Sequence, residues 1–126
     1  MSDLKVGIEN MLEHIAEEKD SAITYGSGAI NVFATPAMVA YMEKSAMELV
    51  QAFMVYGETT VGTAINIKHI KATPIGMRIN TVARLVNING NKLTFEVEAY
   101  DANGMIGSGI HHRYIVNEIE FVNNLG

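Results

Sequence analysis

Residues 35 to 55, TPAMVAYMEKSAMELVQAFMV, read as one helix that is apolar around most of its circumference. At about 100° per residue, Met38, Met42, Ala46, Leu49 and Phe53 form the most apolar stripe, with Lys44, Glu48 and Gln51 opposite. Even on that opposite side Ala40, Tyr41 and Val55 intrude. Such a helix has to be covered by something broad, such as a curved sheet. Thr35 suits the N-cap, Pro36 the first helical position and Gly57 the stop.

Everything after Gly57 reads as strand. In Val61 to His69, Val61, Thr63, Ile65, Ile67 and His69 are expected to share one face. Thr73-Pro74-Ile75-Gly76 is a turn, Arg78 to Ile88 a second strand, and Asn89-Gly90 a tight hairpin. Leu93 to Tyr100 sets Leu93, Phe95, Val97 and Ala99 against Thr94, Glu96 and Glu98. After the turn at Asp101 to Gly104, Gly107 to Val116 and a tail to Val122 complete an antiparallel meander of about four strands. Upstream, Met11 to Lys19 has helical spacing through Met11, Leu12, Ile15 and Ala16, and Tyr25-Gly26-Ser27-Gly28 is a loop. The fold class is α+β, one long helix with a sheet wrapped on it.

Length and composition narrow the function. The 126 residues are expected to form a single domain, 1–126, without a linker or internal repeat. With 48% hydrophobic and 18% charged residues, the chain is globular. The net charge of -5 and the lack of a basic stripe argue against nucleic acid. The absence of cysteine removes disulfides, thiol nucleophiles and thiolate metal sites. The N-terminal stretch has neither a signal-peptide core nor a membrane span, so the cytoplasm is the expected location and no membrane is involved.

Three side chains stand out, each with two readings. Thr35 is either a cap or a hydroxyl held where helix N–H groups favour developing negative charge. Glu43 follows eight positions later, within about 80° of Thr35 on the helix and at the margin of the apolar stripe. It is either a flank carboxylate reaching solvent or a partly buried general base. His69 ends an apolar strand face, as a structural residue or a proton carrier. His111 and His112 are adjacent and point to opposite faces of a strand, which is poor geometry for one metal. Arg113 is either a phosphate anchor or a surface cation. There is no Walker motif, dinucleotide fingerprint or GxSxG elbow. Together, a hydroxyl, a carboxylate and an imidazole are components for acyl transfer.

The segments VFATPAMVAYME, VGTAINIKHIKATPIG and IGSGIHHRYIV resemble the fluoroacetyl-CoA thioesterase-like family of hotdog-fold proteins, in order and with compatible spacing from about residue 30 onward. The resemblance implies a hotdog fold, a homodimer or higher oligomer, and active sites near the dimer interface. It also implies an extended strand in the early segment, against the helical spacing read there. By motif match, the family's catalytic threonine, glutamate and histidine fall on Thr35, Glu43 and His69. Gly62 falls on the glycine whose N–H helps hold the thioester carbonyl. Arg113 falls on an arginine that contacts coenzyme A or supports the site. The small, flexible GSGAIN segment before Thr35 offers no aromatic side chain until Phe33, which is taken as a substrate contact. The HGG-type motif of one thioesterase branch and the Asp–His pair of hotdog hydratases are missing. The implied activity is hydrolysis of a short-chain acyl-CoA thioester without a cofactor, coenzyme A being part of the substrate. The alternative is a non-catalytic acyl-CoA or small-ligand binding protein on the same fold.

Overall fold

The computed structural model describes residues 4–126. Strand β1 (Glu9–Ile15) leads through a 3-10 turn (Glu18–Asp20) and a short helix α1 (Ala22–Tyr25) into the long helix α2 (Thr35–Gln51). Strands β2 (Glu58–His69), β3 (Arg78–Asn89), β4 (Lys92–Asp101) and β5 (Gly104–Asn117) follow, and helix α3 (Glu118–Asn123) closes the chain. The five strands form one antiparallel sheet in the order β1-β3-β4-β5-β2. Helix α2 packs on one face of that sheet.

Strict alternation builds the core. Ile79, Thr81, Ala83 and Leu85 of β3 and Leu93, Phe95, Val97 and Ala99 of β4 are all buried, and they meet Met38, Met42, Ala46, Leu49 and Val50 of α2. Gly90 closes the β3–β4 hairpin at φ +62°, the left-handed region that glycine favours. One polar cluster lies inside this shell. Ser45 and Thr81 hydroxyls meet at 2.7 Å, the His14 and Tyr41 rings stack at 3.8 Å, and Tyr41 Oη donates to Asp20 Oδ1 at 3.0 Å. Burial, with the bond to Asp20, pushes the Tyr41 phenol up to about 12.

The sheet differs from a four-strand meander at both edges. Only β3-β4-β5 meander; β2 lies beyond β5, and β1 adds a fifth strand beside β3. The segment 9–15 is therefore extended, as the family resemblance implies, and its helical spacing is overridden by pairing with β3. The tail after Asn117 is helical, capped by the Asn117 side chain, which accepts from Glu120 N–H.

Helix α2 is shorter than expected at its C-terminus. It ends at Gln51, where Phe53 and Met54 N–H tighten onto the Val50 and Gln51 carbonyls. Gly57, at φ +91°, serves the turn into β2 and not the helix stop. Nor do Val61 and Thr63 share the Ile65 face. Gly62 pairs with Arg113 and Ala64 with His112, so Thr63 is an extra residue in a β-bulge. The bulge shifts the alternation by one. Thr60 and Gly62 before it face the same side as Ile65, Ile67 and His69 after it.

Candidate active site

Thr35 is the first residue of α2, and Ala34 takes the cap position without a side-chain bond. Tertiary contacts set that start: Ala34 N–H donates to the Asp20 carbonyl at 2.8 Å and Phe33 N–H to the Thr73 carbonyl at 2.9 Å. The Thr35 hydroxyl is thereby released from capping. Its Oγ1 lies 2.8 Å from His69 Nδ1, at the end of β2. The first-turn N–H groups of α2 have no intrahelical acceptor, and the helix dipole makes this end favourable to negative charge.

Phe33, 1% exposed, presents its ring at 79° to His69 with centroids 6.4 Å apart. His69 Nε2 is buried without a partner among the described residues. Burial lowers the His69 pKa, against a smaller opposing pull from the Lys71 backbone, so the imidazole is neutral near pH 7. A cavity of about 230 Å³ opens here, lined by Ala22, Phe33, Ala34, Thr35, His69 and Lys71 among others. A neutral imidazole hydrogen-bonded to a hydroxyl at a helix N-terminus has the makings of an activated nucleophile.

Glu43 belongs to a second group. It lies about 12 Å further along the axis of α2. A Cβ built on Gly62 would sit 3.2 Å from Glu43 Oε1, 3.3 Å from Arg113 Nη1 and 3.3 Å from His111 Cε1. The Glu43 carboxylate, the Arg113 guanidinium and the His111 ring therefore converge beside the Gly62 backbone. Gly62 precedes His69 by seven residues on β2, roughly 20 Å in extended chain. Within one chain the structure brings Thr35, His69 and Phe33 together, and separately Glu43, Gly62 and Arg113. Glu43 and His69, which the resemblance puts in one catalytic set with Thr35, do not meet inside the chain.

Arg113 is not a surface cation. It is 6% exposed, donating from Nε to Thr60 Oγ1 at 2.8 Å, from Nη2 to the Thr60 carbonyl at 3.1 Å and from Nη1 to His111 Nε2 at 3.1 Å. Burial lowers its pKa and Glu43 opposes the shift. His111, absent from the candidates above, is 1% exposed and stacks on Phe95 with centroids 6.0 Å apart. Burial is the main cause lowering its pKa, the positive Arg113 adds to it, and the Ala64 carbonyl and Glu43 pull the other way. The signal for His111 was its spacing of two from Arg113 on one strand, which puts both on the same face. His112 points outward as expected, its Nδ1 3.1 Å from Thr94 Oγ1. Among the described residues no group of three His, Asp or Glu side chains is arranged to hold a metal, and no helix is long and apolar enough to cross a membrane.

Residues 15–119 match the family described as FlK, fluoroacetyl-CoA-specific thioesterase. The chain belongs to that family. A family relative, the fluoroacetyl-CoA thioesterase of Streptantibioticus cattleyicolor, is 37% identical over 90 residues, covering 71% of this chain and 65% of the relative's length. The crystal structure of a single-residue variant of the fluoroacetyl-CoA-specific thioesterase FlK superposes with a TM-score of 0.91 at 28% identity, over 99% of this chain and 97% of that one. A hot-dog-like protein from Thermanaerovibrio acidaminovorans, 20% identical, shares the fold with a TM-score of 0.87, over 98% of this chain and 94% of that one. The architecture is thus the hotdog fold, a central helix against an antiparallel sheet.

Proposed function

We propose that this chain is an acyl-CoA thioester hydrolase whose working site is shared between two copies. The observation that carries the reading is the Thr35–His69 hydrogen bond at the N-terminus of α2, inside a cavity, in a member of a thioesterase family. The cavity of about 230 Å³ lies below the usual range for ligand pockets and favours a short acyl group.

The separation of Glu43 from His69 supports the second copy. Strand β2 is 12 residues long and, among the described residues, no strand lies on its outer side, an edge that proteins normally cover. An antiparallel pairing of β2 with its own copy, in a register centred near the middle of the strand, brings the His69 end of one copy toward the Gly62 end of the partner subunit. That register delivers the partner's Glu43, Gly62 and Arg113 to the Thr35–His69 pair. The protein then works as a homodimer in the cytoplasm without a cofactor, coenzyme A entering as part of the substrate.

In this site the thioester carbonyl faces the α2 N-terminus, with Gly62 N–H of the partner subunit as an oxyanion donor. Neutral His69 accepts the Thr35 proton at Nδ1 as Oγ1 attacks the carbonyl carbon. The C–S bond breaks, and the imidazolium returns its proton to the departing thiolate. Water then cleaves the acyl-threonine ester: the partner's Glu43 takes a proton from the attacking water and returns it to the Thr35 oxygen as the acyl C–O bond breaks, and free acid leaves.

A hydrolysis screen over short acyl-CoAs tests the reading. Thr35→Val, which keeps the shape without the hydroxyl, should lower kcat by ~100-fold or more, while Thr35→Ser retains turnover. Unchanged turnover by Thr35→Val would refute the site. Tight retention of acyl-CoA with no hydrolysis by the wild-type protein would favour the binding-protein reading instead.

A further inference from the structure

The group around Gly62 contains a buried histidine to which the proposed reaction gives no task. Its state is fixed by its partners. His111 Nδ1 lies 2.8 Å from the Ala64 carbonyl, which only accepts, so Nδ1 carries the proton. Nε2 lies 3.1 Å from Arg113 Nη1, which only donates, so Nε2 presents its lone pair. The ring is therefore neutral with the proton on Nδ1, and both its nitrogens are used.

The bulge at Thr63 makes this arrangement. It sets the parity of β2 so that Gly62 lies against Arg113 and Ala64 offers its carbonyl to the ring. A guanidinium has five N–H donors. Here Thr60 takes two and His111 takes one. Two remain, and one of them is on Nη1, the atom that sits with Glu43 Oε1 beside Gly62. Thr60 grips the planar guanidinium through Nε and Nη2, and His111 is the third contact, the one made at Nη1 itself. The charged and titratable groups near the ring are Arg113 on its own strand and Glu43 from α2; His112 faces away, and β4 contributes Phe95.

We infer that His111 is a positioning residue: accepting from Arg113 Nη1 while anchored to the Ala64 carbonyl, it holds the guanidinium beside Gly62 with its positive charge close to the Glu43 carboxylate. This rests on the thioesterase reading for Glu43, but the latch itself exists whether or not the protein turns over acyl-CoA. Arg113 cannot release its charge at any ordinary pH, so an acceptor must face Nη1 for the buried cation to remain where it is. Glutamine reproduces both bonds, an amide N–H toward Ala64 and an amide oxygen toward Arg113. Leucine reproduces only the bulk.

The test compares His111→Gln and His111→Leu in acetyl-CoA hydrolysis and in nitrogen-15 NMR of the arginine side chains. His111→Leu should lose ~10- to 100-fold in kcat with KM within about threefold, and His111→Gln should stay within about threefold of wild type in both. The Arg113 side-chain N–H resonances should persist in the wild type and His111→Gln and broaden or exchange away in His111→Leu. Unchanged kcat in His111→Leu would overturn the proposal. So would equal losses in both variants, which would make the ring's packing the whole of its role. If the wild-type protein hydrolyses no acyl-CoA, the thioesterase reading fails while the NMR comparison still decides the latch: unaltered Arg113 resonances in His111→Leu would sink it.

Discussion

Gly62→Ala probes the point where the two proposed halves of the site meet. The added methyl carbon would stand 3.2 Å from Glu43 Oε1, 3.3 Å from Arg113 Nη1 and 3.3 Å from His111 Cε1. Ordinary contacts lie nearer 3.5–4.0 Å, so something gives by a few tenths of an ångström. Arg113 is held by three hydrogen bonds and His111 by two, one of which they share. Glu43, at the end of a flexible side chain, moves instead. Two terms oppose each other in stability. Crowding costs about 1 kcal/mol, the low end for overpacking, and replacing glycine by alanine inside a strand returns about 0.5–1 kcal/mol. Net stability should therefore stay within about 1 kcal/mol of wild type, a Tm shift of a few degrees at most. Displacement of Glu43 from its working position should cost ~10-fold or more in kcat. The assay pairs thermal unfolding with steady-state hydrolysis of acetyl-CoA and propionyl-CoA. Wild-type kcat at unchanged Tm would remove Gly62 and Glu43 from the proposed site, because the locus would then be crowded without consequence for the chemistry.

Acid should weaken the fold through its histidines. Burial lowers the pKa of His14, His69 and His111, with Lys44 adding to the shift at His14 and Arg113 at His111. The unfolded chain binds these protons near pH 6.5 and the folded one only below that, so stability is full above about pH 6.5 and is lost as pH falls through the folded values. Urea midpoints measured from pH 8 to pH 5 should drop below about pH 6.5, and less steeply in His111→Gln; a midpoint that rose toward pH 5 would contradict the burial of these rings. Tyr41→Phe removes the hydroxyl that donates to buried Asp20 Oδ1. It should cost about 1–3 kcal/mol in urea unfolding with an unchanged m-value, and an unchanged midpoint would show that water satisfies Asp20 instead.

Much of the sheet could be read because local and tertiary preferences coincide. In β4, Leu93, Phe95, Val97 and Ala99 alternate with polar residues, and each is buried where the period of two puts it. Asn89-Gly90 marked the hairpin because the turn needs a positive φ at Gly90. Strand β1 was harder. Its outward Met11 and Ile15 break the alternation and restore helical spacing, and only pairing with β3 makes it a strand. The role of Thr35 as a cap followed from local preference, which Asp20 and Thr73 override by fixing the backbone one residue earlier. The resemblance pointed to Thr35, Glu43 and His69 as a set, but their division into two groups depends on the length of β2. The bulge at Thr63 has no local signature, and the convergence of Gly62, Arg113 and His111 follows from it.

If Thr35 and His69 of one copy work with Glu43 of another, mixing two inactive variants restores activity. Thr35→Val and Glu43→Gln proteins are each prepared alone, then unfolded together in equal amounts and refolded. In a shared site, each mixed dimer contains one intact set of residues and one doubly altered set. Half of the dimers are mixed and each has one working site of two, so about a quarter of wild-type activity should return. A mixture no more active than its two components would place Thr35, Glu43 and His69 of each site within one chain and contradict a site shared between copies.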